Sequence, residues 1–270
     1  MVDGVRATLD GVAETLLWTL RNRAEEAKHP GSAFCDPWSV RLYEAIAYDY
    51  AQFGKLSQSH ALRAAALDWQ IRAYLDDHPR ATVVALGEGL QTTYWRMGSP
   101  DVPWLSIDLP PVHQLRGQLL PTAPRVEAVA TSALDRSWMD RVDPVHGTFI
   151  SAEGLFMYFD RDDVISLIAD CASRFPGGRL FFDSIPAWFS TRTLKGLRLS
   201  DRYTAPPMPF SLSVTQASRL PGQIPGVVAA TDVRLPAGRG LWASRTLTAL
   251  ANLPPLRDYR PSITLLTFRD

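Results

Sequence analysis

Apolar residues recur at helical spacing through the first third of the chain, then give way to short β-branched runs beyond residue 81. Residues 5–27 place Leu9, Val12, Leu16, Leu17 and Leu20 on one face and gather charge at Arg21-Asn22-Arg23-Ala24-Glu25-Glu26, which predicts an amphipathic helix. Asp36-Pro37-Trp38 turns the chain into a second helix running through Ile46. A third helix is expected from Ser59 to Asp77, with Leu62, Ala66, Trp69 and Ala73 along one stripe. Residues 1–80 therefore read as an N-terminal helical cap and residues 81–270 as the main domain. In the latter, strands are expected near 82–86, 103–107, 126–130, 147–152, 179–184, 226–233 and 263–268. Their alternation with helices predicts an α/β fold, a mainly parallel sheet covered on both faces. The helix over 160–174 opens on Asp160, Asp162 and Asp163, which suit its dipole, and Pro176-Gly177-Gly178 stops it.

Over residues 186–225 the periodicity breaks. Trp188-Phe189 opens a short helix, and Pro206-Pro207-Met208-Pro209-Phe210 and Pro221-Gly222 then interrupt the chain. A long Pro-rich insertion bearing Trp188, Phe189, Met208 and Phe210 predicts a lid over a substrate; a rigid excursion packed by its own aromatics is the alternative.

Candidate chemistry gathers where the first strand ends. Thr82-Val83-Val84-Ala85-Leu86 runs into Gly87-Glu88-Gly89-Leu90-Gln91-Thr92, and the next strand, Trp104-Leu105-Ser106-Ile107, ends in Asp108. Glycines let backbone approach a nucleoside, and an acid closing the next strand accepts its ribose hydroxyls. A dinucleotide fingerprint would carry a third glycine where this chain has Thr92, and would face a pyrophosphate with helix amides. S-adenosylmethionine has no phosphate, so this turn suits it better. A tight turn with a capping acid is the plainer alternative.

Composition narrows the rest. A chain of 270 residues that is 46% hydrophobic can bury roughly three quarters of its unfolded surface. Formal net charge is zero with no extended basic cluster, which argues against nucleic acid as a partner. No apolar run reaches the roughly 20 residues a bilayer requires, and Met1-Val2-Asp3-Gly4 lacks the flank of a signal peptide, so a cytoplasmic protein is expected. Cys35 and Cys171 have no partner spacing and read as free thiols; the five histidines show no metal-ligand spacing, so no metal is expected.

Six motifs in order resemble the leucine carboxyl methyltransferase superfamily, in particular its bacterial branch of the tetracenomycin polyketide O-methyltransferase type. They are Arg23-Ala24-Glu25-Glu26 with Phe34-Cys35-Asp36-Pro37-Trp38, His60-Ala61-Leu62-Arg63, Leu86 to Thr92, Ile107-Asp108-Leu109-Pro110, Ser132-Ala133-Leu134-Asp135, and Ala152-Glu153-Gly154-Leu155-Phe156-Met157-Tyr158-Phe159. The resemblance implies a class I, Rossmann-like S-adenosylmethionine-dependent methyltransferase, with a seven-stranded sheet whose last strand is inserted antiparallel. It implies that Arg63 holds the methionine carboxylate, that Gly87 and Gly89 admit the methionyl part, and that Asp108 accepts the ribose hydroxyls. Ser132, Ala133 and Leu134 would flank adenine, although Ala133 lacks the acid some relatives carry there. Glu153 would lie near the cofactor's amine and sulfonium, and is the candidate catalytic group. Two departures stand out: Glu88 replaces a small residue, and Gln91 stands where relatives are often acidic. Trp38, Trp69, Met157 and Tyr158 read as core or pocket walls.

The acceptor decides whether a base is needed. A carboxylate with pKa near 4 is already ionised, whereas a phenol with pKa near 10 is ionised in roughly one molecule in a thousand at neutral pH. His113, His146 and His60 are the candidate bases, and none stands at a βα turn where a hydroxyl would arrive. This favours methyl-ester formation on a small apolar or aromatic acceptor bearing a carboxylate, in secondary metabolism. Hydroxyl methylation, or a methyltransferase fold turned to another reaction, are the alternatives. Arg192, Lys195, Arg198 and Arg202 would pair with an acidic acceptor or form a solvated helix face.

Overall fold

The computed structural model describes residues 5–270; Met1–Gly4, on which the expectation about a signal peptide rests, lie outside them. The helical cap consists of α1 (Gly11–Lys28), α2 (Pro37–Ala45) and α3 (Ser59–Asp77). The predicted first helix starts later than residue 5, because Val5 is drawn into a backbone bridge: its carbonyl accepts from Ala47 and its amide donates to Ala45, both at 2.9 Å.

Seven strands follow: β1 (Thr82–Leu86), β2 (Trp104–Asp108), β3 (Val126–Ala130), β4 (Thr148–Ala152), β5 (Arg179–Ser184), β6 (Val227–Asp232) and β7 (Ser262–Phe268). Their order is β3-β2-β1-β4-β5-β7-β6, with the first five parallel and β7 antiparallel to both of its neighbours. Alternate residues face opposite sides, as pleating requires. Val83, Phe149 and Phe181 pack under Leu67, Ile71 and Tyr74 of α3, while Val84, Ile150 and Phe182 meet α6 (Arg161–Arg174) through Val164, Leu167 and Cys171. The remaining helices are α4 (Thr93–Arg96), α5 (Pro110–Leu119), α7 (Ala187–Leu194), α8 (Val214–Ala217) and α9 (Arg245–Ala251).

Three expectations about side chains change. Trp69 is 75% exposed, since α3 turns Ala64, Leu67, Ile71 and Tyr74 inward and leaves Trp69 on the outer side. Phe210 is buried in the main core with Leu212, Leu220 and Ile224, so the stretch after Pro209 is a packed layer beside β5. Met208 is buried as well, against Met157, Ile185 and Phe189. The proline-broken stretch from Met208 to Ile224 thus turns its large apolar side chains to the interior. Of the four lid candidates only Trp188, 46% exposed, and the half-buried Phe189 reach the surface, both on α7.

The cap is tied to the sheet by buried charge. Asp36 caps α2 by accepting from the Ser39 amide, and also accepts from Thr92 Oγ1 and from Arg96 Nη1 at 3.0 Å. Arg96 completes a two-pronged pair with Asp68 on α3 at 2.6 and 2.8 Å. Arg23 lies 3.9 Å from Asp36 and donates to the Leu90 carbonyl; burial pulls its pKa down to about 10 despite Asp36. Cys35 is exposed, Cys171 is buried, and both are free thiols. Among the described residues no helix is long and apolar enough to cross a membrane, and no group of three or more acidic, histidine or cysteine side chains could hold a metal ion.

Asp36→Ala leaves Arg96 and Arg23 buried with one acceptor fewer, and the expected loss is about 3–5 kcal/mol of unfolding free energy, the scale for breaking a buried pair on one side. Urea unfolding of the two proteins measures it; a loss under about 1 kcal/mol would show that Asp68 alone satisfies these cations.

Candidate active site

Parallel strands deliver their last residues to one edge of the sheet, where open α/β folds bind ligands. Here that carboxyl edge receives Gly87 after β1, Asp108 at the end of β2, Glu153 after β4 and Asp183 near the end of β5. Gly87 and Gly89 have φ of +58° and +56°, a region that side-chain-bearing residues avoid, so the turn keeps its close approach only with glycine. A Cβ on Gly87 would come within 2.7 Å of Leu155. Asp108 is fixed by two backbone amides, Gly89 to Oδ2 at 2.6 Å and Leu109 to Oδ1 at 2.8 Å. Burial pushes its pKa up, and those amides work against the rise.

Arg63 reaches this edge from α3. Its Nε donates to Glu153 Oε1 at 2.8 Å and its Nη1 to Asp183 Oδ2 at 2.6 Å. Burial alone would lower the Arg63 pKa, but Asp183 and Glu153 outweigh it and the net direction is upward. Two of its five N–H donors are engaged, which leaves three for a ligand. Asp183 also accepts from the Gly154 amide at 2.6 Å, and burial raises its pKa. Glu153 takes a further hydrogen bond from Gln91 Nε2 at 2.8 Å, while Gln91 Oε1 is buried without a partner.

Sequence reasoning missed Asp183. The signal was present: an acid closing an apolar strand, Arg179-Leu180-Phe181-Phe182-Asp183, as Asp108 closes β2. The two departures also find their reasons. Glu88 turns inward, accepting from Ser106 Oγ and from Arg116 Nη2 on α5 at 2.7 Å, so it ties the glycine turn to β2 and α5. An amide at position 91 can donate to Glu153, where a second carboxylate would repel it.

Other candidates fall as follows. Ser132, Ala133 and Leu134 follow β3, one strand from Asp108; Ser132 Oγ accepts from the Leu134 amide and Ala133 is buried. His146 precedes β4 at the opposite edge, exposed, and His113 is half-buried in the first turn of α5. His60 lies one helical turn before Arg63, edge-on to Trp18 with ring centroids 5.1 Å apart, and its buried Nδ1 has no hydrogen-bond partner. Burial and the nearby Arg63 and Arg23 hold its pKa well below the usual value.

These residues fit a zwitterionic, positively charged sulfonium ligand. At the edge three carboxylates (Asp108, Glu153, Asp183) stand with one guanidinium (Arg63), an excess that a cationic ligand offsets. The unpartnered Gln91 Oε1 beside Glu153 is the acceptor pair an ammonium group seeks.

Residues 29–172, just over half the chain, match the family described as leucine carboxyl methyltransferase. The chain is 29% identical over 228 residues to the tetracenomycin polyketide synthesis O-methyltransferase TcmP of Streptomyces glaucescens, covering 83% of each protein. It is 28% identical over 207 residues to the S-adenosyl-L-methionine-dependent methyltransferase dpfgK of Gibberella zeae, covering 68% of this chain and 69% of the relative. Its fold superposes on the plantazolicin methyltransferase BamL, solved in complex with a triazolic desmethylPZN analog and SAH, with TM-score 0.54 at 12% identity over 96% of this chain and 100% of that one.

His60 gives this region a pH signature. A histidine held neutral in the folded state binds fewer protons there than when unfolded, so stability falls as pH drops through about 6.5. The thermal midpoint should decline from about pH 7 to about pH 5, and His60→Gln, which cannot charge, should flatten that decline. An identical slope in both proteins would assign the acid lability to another group.

Proposed function

The chain belongs to the leucine carboxyl methyltransferase family and is an S-adenosylmethionine-dependent methyltransferase; from that premise we propose that it methylates the carboxylate of a small, largely apolar metabolite, giving a methyl ester. Bound S-adenosylmethionine supplies an electrophilic methyl group on a sulfonium. The chain's own residues supply position. Arg63 would receive the methionine carboxylate with its remaining donors, Gln91 Oε1 and Glu153 the amine, and Asp108 the ribose hydroxyls. Ser132, Ala133 and Leu134 would border the adenine. Aligning the donor and acceptor in a site shielded from water accounts for most of the acceleration, since well-oriented reactants reach effective molarities of about 10⁵ M or more.

One observation carries the carboxylate reading: the three acids at the ends of β2, β4 and β5 are already engaged. Glu153 and Asp183 are bound to Arg63, and Asp108 is held by two amides, so none is free to take a proton from an acceptor. An ionised carboxylate needs no such step. A hydroxyl acceptor is the second reading, and one feature of His60 favours it: its buried Nδ1, one turn from Arg63, has no hydrogen-bond partner and offers a lone pair to a hydroxyl proton. O-methylation is common to both, in keeping with the polyketide O-methyltransferase among the relatives.

Two results test this. Asp108→Ala should weaken S-adenosylhomocysteine binding by about 1–3 kcal/mol in calorimetry, the scale for removing a charged hydrogen-bond partner; unchanged affinity in a folded variant would take Asp108 out of the site. For the reaction, labelled methyl transferred to a panel of aromatic carboxylic acids should be released as methanol in mild alkali, and His60→Gln should leave the rate within a few-fold. An alkali-stable product with a rate loss of about 10²–10⁴ in His60→Gln would establish the hydroxyl reading.

A further inference from the structure

The connection from β6 to β7, residues 233–261, is far longer than a hairpin needs. It rejoins the sheet at Ser262, which pairs with Ser184, next to Asp183, so it rises from the same carboxyl edge as the Arg63 cluster. Both of its ends are fastened to elements that flank that cluster. On the cap side, Arg239 forms a two-pronged ion pair with Glu26 at 2.9 and 2.6 Å, and its amide donates to Gln58 Oε1 at 2.7 Å. A Cβ on the adjacent Gly238 would stand 3.0 Å from Leu62, the neighbour of Arg63. On the other side, Trp188 Nε1 donates to the Tyr259 carbonyl at 2.9 Å, and the Thr215 amide to Asp258 at 2.8 Å.

Between these fastenings, over residues 240–256, no residue is fully buried. Helix α9 buries none of its residues. Of the fifteen large apolar side chains exposed among the described residues, seven belong to this connection, including Leu241 at 78% and Leu247, Leu250 and Leu253 at 46% each. Leu247 and Leu250 share a helix face. Two cations stand nearby with no ion pair among the described residues: Arg245, which opens α9, and Arg192, whose guanidinium lies 5.6 Å over the Trp188 ring.

We propose that residues 240–256 form a strap that lays its leucine face on the acceptor at the carboxyl edge, and that the acceptor is therefore an anionic metabolite with an apolar face wide enough to meet Leu247 and Leu250. The strap, rather than the buried Met208–Phe210 stretch, then selects the acceptor. Its tethering to elements on both sides of the site and the cations Arg245 and Arg192, unpaired among the described residues, favour such a ligand over a second copy of the chain. The inference rests on the methyltransferase reading above and extends it to the acceptor's chemistry.

The test uses 1-anilinonaphthalene-8-sulfonate, an apolar aromatic anion, with the intact chain saturated with S-adenosylhomocysteine. A single saturable site is expected, with energy transfer from Trp242 that Trp242→Phe diminishes. The Leu247→Ser/Leu250→Ser variant should bind the dye at least about tenfold more weakly, since each half-exposed leucine that becomes covered adds several-fold in affinity, while its S-adenosylhomocysteine affinity is unchanged. In the unsubstituted protein, amides 245–253 should gain protection from hydrogen exchange when dye and S-adenosylhomocysteine are both present. Equal dye affinity in the variant, or no gain in protection, would overturn the proposal. So would a dimer in sedimentation that dissociates on the leucine substitutions while dye affinity holds, for then a second copy covers the face. An alkali-stable methylated product would overturn the carboxylate reading and leave the dye result untouched, so the two failures are distinguishable.

Discussion

Arg63 is held between Glu153 and Asp183, and through it the cap helix α3 is joined to the ends of β4 and β5. A guanidinium withdrawn from water is costly unless its partners are close and well aimed, and here both carboxylates lie within 2.8 Å. The requirement works in both directions. Without Arg63, two buried carboxylates would lie unpaired beside the turn at Gly154; without the acids, α3 would carry an unpaired cation into the sheet edge. The position of the cap is thus set by electrostatics at the site and by apolar packing behind it, where Leu67, Ile71 and Tyr74 cover the sheet.

A second cluster of buried charge repeats the device one layer out. Asp36 and Asp68 hold Arg96 on α4, and Arg116 on α5 holds Glu88 within the glycine turn while donating to the carbonyls of Gly89 and Gln91. The turn proposed to accommodate the cofactor is therefore braced from the cap and from the flanking helices at once. Such bracing suits positional chemistry: a methyl transfer between two bound reactants gains from alignment, and a turn free to flex would lose it.

Much of this was legible in the chain. All seven strands lie within a residue or so of their expected ranges, because β-branched runs bounded by turns report strands directly. Gly87, Gly89 and Asp108 were legible because their spacing follows from the path of one βαβ unit. Asp183 belongs to a strand that sequence places far from Arg63, and only the sheet order, with β5 beside β4, brings them together. Trp69, Met208 and Phe210 misled for a different reason: a large apolar residue in a helix or a proline-rich stretch says that it tends to be covered, not by what. The β6–β7 connection carries no sequence signal of its own, because leucines at helical spacing look the same whether their face is covered or exposed.

Arg63 is the clasp between cap and sheet and, in the proposed function, also the receptor for the methionine end of the cofactor. A crystal structure of the chain with S-adenosylhomocysteine tests this double role most directly. The expected density shows the amino-acid carboxylate within hydrogen-bond reach of Arg63 and the ribose hydroxyls on Asp108, with Glu153 and Asp183 still holding the guanidinium. Homocysteine directed away from Arg63, with Arg63 bound only to its two acids, would contradict it.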